Sequence, residues 1–439
     1  MSRRLRVLMG GIPVGRLEQS ATGALTLAYD ERWLAATKVQ IPLSLSLPLA
    51  SRIHSGKAVA NYLWNLLPDN VQTLEAWGKA YDVSPNNPLA LLSKVGEDCA
   101  GAVQIVTEEW IQANQNPSGD VQWIDAEEVG RRLKRLREER TWTGRRSGDK
   151  GHFSLAGAQP KIALLLDGNR WGIPNGRRAT THILKPPMPG LNGTIENEYA
   201  CLLLAGRIGI IAAEAKVSRF GEETAIVVTR YDRQTGPDGA VRRFHQEDMC
   251  QALAVNPVTK YQRDGGPSIE QIAKQVLRYA TDSDLDKNRF AAMIAFNFLV
   301  LGTDAHAKNF SVMHLPERRM YLAPLYDVLS YQPYVADDHE RRRLRMAMKV
   351  GGYYRFDEIQ LRHWERQATM MDMDPKRMVV TVLDLARQIP DALSEIVREC
   401  RADGLTDTVL DKMLDGISAR CRIVVEGYDG ALRTPTAPG

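Results

Sequence analysis

The stretch "GTDAHAKNFSV" at residues 302–312 carries Asp304 and, five positions on, Asn309, and "YLAPLYD" then closes on Asp327. Asp, Asn and Asp in that order suit phosphoryl transfer. A carboxylate at Asp304 could accept the proton of an attacking hydroxyl late in the transfer. The amide oxygen of Asn309 and the carboxylate of Asp327 could hold Mg2+, a hard cation that takes oxygen ligands and neutralises a triphosphate.

The elements around these residues decide whether the pattern means anything, since D-x-x-x-x-N alone is common by chance. Phe290, Met293, Ile294, Phe298 and Leu301 recur at helical spacing, so a buried helix is expected to run up to Gly302. "FSVM" and "MYLAPL" flank "HLPERR" as two strands of a hairpin would. Helix, loop, hairpin and Asp is the order of a protein-kinase catalytic segment, although Thr303 replaces the usual Arg, His306 stands where many kinases carry Lys, and "YDVL" replaces D-F-G. Such a segment needs a lysine on an upstream strand to reach the α- and β-phosphates. Lys185 is the candidate, closing "THILK" before two prolines that end the strand. Glu196 or Glu198 in the next helix could pair with it, and the sequence does not choose between them. The small-residue loop Ala156, Gly157, Ala158, Gln159, Pro160 and Lys161 could bring backbone amides close to phosphate oxygens, although it is not a Walker A loop.

Composition sets the frame. The 439 residues suffice for two or three domains, and 44% hydrophobic with 25% charged residues is ordinary for a folded globular chain. A net charge of +4 is too mild to argue for nucleic acid or an anionic membrane. The five cysteines are scattered without a CxxC pair, which suggests neither a disulfide framework nor a zinc site. No stretch reaches the roughly 18 apolar residues of a membrane helix, so a cytoplasmic protein without a membrane partner is expected.

Four regions follow. Residues 1–112 read as an α/β subdomain of short strands ("RVLMGGIPVGRL", "GALTLAYD", and "IPLSLSLPLA" with its period of two) and helices ("AVANYLWNLLPDN", "PLALLSKVG"). Residues 113–151 form a charged connection with a helix over "RRLKRLREER", expected to present a solvated face. Residues 152–245 are β-rich, with a hairpin at "LLLDGNRW" and one helix, "ENEYACLLLAGRIGI", whose apolar stripe is Tyr199, Leu202, Leu203 and Ile210. Residues 246–439 read as helical, with "KRMVVTVLDLARQI", whose last residue is the one before Pro390, among the candidate helices. "ERRRLR" reads either as a solvated edge or as a basic surface.

Taken together, "PLSLSLPL", "LLPD", "SLAGAQPK", "THILK", "ENEY", "TRYDR", "HQED", "GTDAHAKNFS" and "LAPLYD" resemble one family in one order, the HipA-type serine/threonine protein kinases, the toxin half of bacterial HipBA modules. The resemblance implies an α+β, protein-kinase-like two-lobe fold with an extra N-terminal α/β subdomain and an all-helical C-terminal lobe. It implies ATP and Mg2+ as cofactors, Asp304 as base, Asn309 and Asp327 as metal ligands, Lys185 as the phosphate lysine, and the loop Ala156 to Lys161 over the phosphates. Thr229, Arg230 and Tyr231 would form the adenine-side hinge, with Asp232 near the ribose, and His306, Ala307, Lys308, Asn309 and Tyr326 would complete the pocket. Ser154 matches a serine that relatives autophosphorylate, silencing the kinase by placing negative charge beside a phosphate-binding loop. Pro160 departs from the glutamate that relatives commonly carry. The partners implied are a HipB-like helix-turn-helix antitoxin, operator DNA mainly through that antitoxin, and a translation factor as substrate, aminoacyl-tRNA synthetases being the suggested class. The competing readings are a small-molecule or lipid kinase and a catalytically dead co-repressor that only docks on its antitoxin.

Overall fold

The computed structural model describes residues 3–36, 41–116, 119–139, 142, 149, 153–157 and 159–433. The chain forms two units, Met1–Pro189 with Lys216–Thr259 and Ser311–Ala323, and Gly190–Ala215 with Lys260–Phe310 and Pro324–Gly439.

The first unit holds two main sheets. Strands β1 (Arg3–Met9), β2 (Ile12–Gln19), β3 (Leu25–Tyr29), β4 (Ile53–Ser55) and β5 (Val103–Val106) pair in the order β4-β3-β2-β1-β5. Alternation along them buries Leu5, Val7, Leu17, Leu25 and Leu27 against helices Lys57–Asn65, Val71–Tyr81 and Pro88–Val95. The second sheet runs β10-β11-β9-β7-β8-β6, from β6 (Asp120–Ile124), β7 (Ile162–Asp167), β8 (Arg170–Asn175), β9 (His182–Lys185), β10 (Ala215–Phe220) and β11 (Glu223–Thr229). Its expected hairpin closes on Gly168 and Asn169, with Asp167 opposite Arg170. Two small pairings complete the unit: β12 (Arg233–Thr235) with β13 (Val241–Arg243), and β14 (His245–Asp248) with the hairpin β15 (Ser311–Leu315) and β16 (Arg319–Leu322).

Two expectations for this unit change. "IPLSLSLPLA" is not a strand but an irregular segment with one isolated bridge between Ser44 and Leu47. Pro42 and Pro48 remove backbone donors a ladder would need. The serines instead bond elsewhere, the Ser44 hydroxyl to Glu247 and the Ser46 hydroxyl to the Gln251 carbonyl at 2.8 Å, while Leu43 and Leu47 are fully buried. The basic helix Ala126–Glu138 is only partly solvated, because Val129, Leu133 and Leu136 enter the core of the second sheet. Its Arg132 is buried between Glu128 at 2.8 Å and Asp149 at 2.7 Å, and Arg137 pairs with Glu223. The glycine-containing stretch after it lies largely outside the described residues.

The second unit is helical apart from a hairpin, β17 (Arg345–Val350) with β18 (Tyr353–Arg355), that periodicity did not reveal. Helix Ser283–Leu299 carries the expected buried residues Phe290, Met293, Ile294 and Phe298. Helix Thr194–Arg207 is buried on more than the expected stripe, with Ile195, Asn197, Glu198, Ala200, Cys201, Leu204 and Ala205 inside and Tyr199 and Leu203 only half-buried. Helix Pro375–Ala402 continues through Pro390. An interior proline costs about 3 kcal/mol. Beyond it Leu393, Ile396 and Val397 are buried at helical spacing, and each contributes about 1.5–3 kcal/mol, so burial outweighs the lost bond.

A buried ion cluster ties the first unit together. Asp98 accepts from Arg233 at 2.9 Å, Arg243 at 3.3 Å and the Thr180 hydroxyl at 2.7 Å, while Asp232 accepts from Arg230 at 2.8 Å and the Gly101 amide at 2.7 Å. Burial raises both carboxyls, but the guanidiniums outweigh it and hold each below the usual carboxylate range. Elsewhere in the unit, burial, with His314 alongside, pushes His245 down to about 3, and burial with Lys216 pushes His182 down to about 4.

These shifts set the pH behaviour. A histidine buried neutral binds fewer protons folded than unfolded, so its stabilisation is complete above pH about 6.5 and is lost as pH falls towards 4 and 3. The depressed carboxyls contribute above their unfolded value of about 3.9 and lose that contribution below it. Denaturant unfolding should therefore show stability falling from pH about 6.5 and more steeply below about 4. Asp98→Asn should lower stability by about 3–5 kcal/mol at pH 7, because it leaves buried guanidiniums under-compensated. A loss below 1 kcal/mol would show that the cluster is not structurally required.

Candidate active site

In the second unit the site is built at the end of the helix Ser283–Leu299. Leu301 leaves it in a left-handed conformation, φ +59°, and the Gly302 amide donates to the Asn297 carbonyl at 2.7 Å. A Cβ at Gly302 would meet the Asn297 side chain at 2.3 Å, so a larger residue would force that side chain to shift. The Asp304 side chain emerges 65% exposed, within reach of a substrate. Behind it, Ala305, His306, Ala307, Lys308 and Asn309 are buried. The Asn309 side-chain NH2 donates to the Asp304 carbonyl at 2.8 Å, which fixes the loop and leaves the amide oxygen for another partner.

Asp327 is brought to this loop by its neighbour. The Tyr326 hydroxyl donates to the Lys308 carbonyl at 2.7 Å, and Asp327 itself sits at φ +55°. A non-glycine residue held there costs of order 1–3 kcal/mol, and such strain concentrates at functional sites. An amide oxygen and a carboxylate on two adjoining segments are a hard-oxygen donor set. They fit Mg2+, which typically takes one or two carboxylates and completes its shell with phosphate and water. Among the described residues no group of three His, Cys, Asp or Glu side chains could hold a metal by itself.

Two supporting residues were not evident from the sequence. Tyr261, 43 positions before Asp304, donates its hydroxyl to Asp304 Oδ1 and stands edge-on to the His306 ring at 4.9 Å. No spacing signal marks it. Asn197 lies within the quoted "ENEY", where only the glutamates attracted notice. Its side chain grips the Ser330 backbone, donating to the carbonyl at 2.8 Å and accepting from the amide at 2.9 Å, and the Ser330 hydroxyl donates to the Val300 carbonyl at 2.6 Å. The segment after Asp327 is thereby tied to the end of the helix Ser283–Leu299. Glu198 is buried, and Glu196 is half-buried with its carboxyl raised by burial.

The first unit holds the remaining expected residues. Lys185 is buried at the end of β9, opposite Ile226, and Thr229 stands opposite His182. Arg230 and Asp232, expected at the hinge and ribose, have their charged groups inside the ion cluster, and the Tyr231 hydroxyl donates to Gln246. The backbone of this segment is engaged as well, the Arg230 amide donating to the Thr181 carbonyl and the Phe244 amide to the Asp232 carbonyl, both at 2.9 Å. In the loop, Gly157 adopts φ +108°, a conformation that favours glycine, and its carbonyl accepts from the Asp69 amide at 3.2 Å. Lys161 Nζ donates to the Ala156 carbonyl at 3.0 Å. Gly157, Gln159, Pro160 and Lys161 border a cavity of about 260 Å³ that Trp77, Leu136 and Met188 also line. Ala158 lies outside the described residues. Ser154 is fully buried, its hydroxyl donating to the Leu66 carbonyl at 2.6 Å and its amide to the Asp98 carbonyl at 2.9 Å.

The catalytic-loop arrangement and the fold define a protein-kinase-like enzyme. Residues 5–106 match the HipA N-terminal domain and residues 153–393 the HipA-like C-terminal domain. The protein Y4mE of Sinorhizobium fredii is 32% identical over 423 residues, 96% of this chain and 98% of that one. The serine/threonine-protein kinase toxin HipA of Shewanella oneidensis is 29% identical over 407 residues, 90% of this chain and 89% of that one. The solved complex of Shewanella oneidensis HipA with HipB and operator DNA matches in fold, with a TM-score of 0.83 and 24% identity over 98% of this chain and 100% of that one. The chain belongs to the HipA family of kinase toxins from toxin–antitoxin systems. No helix among the described residues is long and apolar enough to cross a membrane.

Tyr261 holds one carboxylate oxygen of Asp304 and is expected to act as a positioning residue for it. A hydrogen bond to a charged group contributes about 1.5–3 kcal/mol, so Tyr261→Phe should lower kcat about tenfold or more with little change in KM for ATP. A rise in kcat in steady-state assays would mean that the tyrosine instead obstructs the base.

Proposed function

We propose that this chain is an ATP-dependent serine/threonine protein kinase of a toxin–antitoxin pair. The observation that carries the reading is Asp304, an exposed carboxylate at the end of a buried helix, on a loop pinned by Asn309 and adjoining the strained Asp327. Asp304 takes the proton of a serine or threonine hydroxyl as that oxygen bonds the γ-phosphorus. The bond from phosphorus to the β–γ bridging oxygen breaks, and ADP leaves. Mg2+ held by Asn309 and Asp327 would offset the charge of the phosphates. Lys185 and the loop Ala156 to Lys161 hold the phosphates, while Thr229, Arg230, Tyr231, Asp232, His306, Ala307, Lys308 and Tyr326 line or support the nucleotide site.

The family suggests a translation factor as substrate, with aminoacyl-tRNA synthetases as the class, growth arrest and persistence as the outcome, and the cytoplasm as the compartment. The Shewanella HipA complex supports a HipB-like helix-turn-helix antitoxin as partner, with operator DNA engaged mainly through it. Ser154 is proposed as the self-phosphorylation site. Its burial means that the segment must leave its seat on Leu66 and Asp98 to be modified, and a phosphate of nearly two negative charges could not return there unpaired.

Incubation with Mg-ATP, followed by intact mass and peptide mapping, tests this reading. Wild type should gain phosphate on Ser154, and Asp304→Asn should slow that gain by roughly 10²–10⁴-fold. Asp327→Ala should weaken magnesium-dependent nucleotide binding. A chain that binds no nucleotide would be a co-repressor with relic catalytic residues.

A further inference from the structure

An open cleft of about 450 Å³ in the second unit, with Asp304 on its wall, is lined by Arg263, Arg343, Arg345 and Arg355. Four arginines thus line a cleft in which Asp304 is the one acidic lining residue. Arg343 and Arg345 come from "ERRRLR", which the sequence left open between a solvated edge and a basic surface.

The arginines are not neutralised in proportion. Arg263 meets Asp264 at 3.6 Å and Arg355 meets Glu358 at 3.2 Å, both exposed pairs of the kind that hold little energy. Among the described residues no carboxylate pairs with Arg343 or Arg345. Arg345 stands directly opposite Arg355 in the β17–β18 hairpin. Like charges facing across a strand pair destabilise it, and an anion seated between them would relieve that cost. Arg263 lies over the Tyr261 ring at 5.2 Å, and Tyr261 in turn holds Asp304, so the basic wall is continuous with the proposed base.

Resting on the kinase reading above, we propose that this cleft selects protein segments in which acidic side chains flank the acceptor serine or threonine. The carboxylates would dock on Arg343, Arg345 and Arg355 while the hydroxyl approaches Asp304. An extended nucleic-acid backbone fits less well. The helix bearing Arg343 also presents Asp338 and Glu340, and a cleft of this volume holds a few residues rather than a long polyanion.

The test compares serine-centred peptide libraries whose neighbours are fixed as Asp/Glu, Asn/Gln or Lys, using the full chain. Both fluorescence-anisotropy binding and phosphate transfer are read. Guanidinium–carboxylate contacts near a surface are modest singly, but two or three together should favour acidic over neutral peptides by about tenfold or more in Kd, expressed in KM rather than kcat. Arg343→Glu with Arg345→Glu should erase or invert the preference, and the milder Arg343→Gln with Arg345→Gln, checked by thermal melting, should weaken it. Equal binding of acidic and neutral peptides, or an unchanged preference in both variants, would overturn the inference. So would an oligonucleotide that displaces the acidic peptide at lower concentration. Failure to phosphorylate Ser154 would count against the kinase reading separately, because peptide binding is read without transfer.

Discussion

Three arginines and two aspartates sealed from solvent impose the strongest constraint on the first unit. Arg230, Arg233 and Arg243 carry one more charge than Asp98 and Asp232 can offset, so the cluster persists only because neutral acceptors share the load. Arg230 and Arg233 each donate to the Cys99 carbonyl at 2.9 Å, and Arg243 donates to the Arg177 carbonyl at 2.8 Å. Burial and the repulsion of Arg230 push Arg233 down to about 10, still well above neutral pH, so the cluster stays fully ionised in the cell's range. Replacing such a cluster wholesale with apolar residues could be neutral, but removing one member leaves a bare charge in a low dielectric.

Asp98 makes two kinds of contact in this unit. Its side chain gathers arginines from the segment that follows β11, and its backbone carbonyl anchors Ser154 at the entry to the small-residue loop. The seat of Ser154 is thus defined by the same residue that orders the segment following β11. Ser154 sits between Phe153, packed on the core of the second sheet, and the buried Leu155, so displacing it must also lift apolar side chains from their seats.

In the second unit, precision comes from backbone clamps. Tyr326 on Lys308, Asn197 on Ser330 and Ser330 on Val300 lock three chain segments whose conformations at Leu301 and Asp327 would not persist alone. Rigid placement of the carboxylate is what phosphoryl transfer asks of the protein, since positioning and electrostatics supply most of the catalysis. The hydroxyl of Tyr261 and the buried ring of His306 complete that placement from the side.

Much was legible in the sequence because it is written in local chemistry. The period of the helix before Gly302, the turn at Gly168 and Asn169, and the spacing of Asp304 and Asn309 depend on neighbours only a few positions away. Periodicity misled where distant groups decided the outcome. The serines of "IPLSLSLPLA" found Glu247 and Gln251 some 200 positions on, and the helix through Pro390 was rescued by apolar burial beyond it. The identity of Tyr261 as partner of Asp304, the seclusion of Ser154, the withdrawal of Arg230 and Asp232 into an ion cluster, and the gathering of Arg343 and Arg345 beside Asp304 belong to tertiary structure alone. Each is a contact between residues far apart in the chain, and no local pattern encodes which distant charge or hydroxyl will fill a given desolvated position.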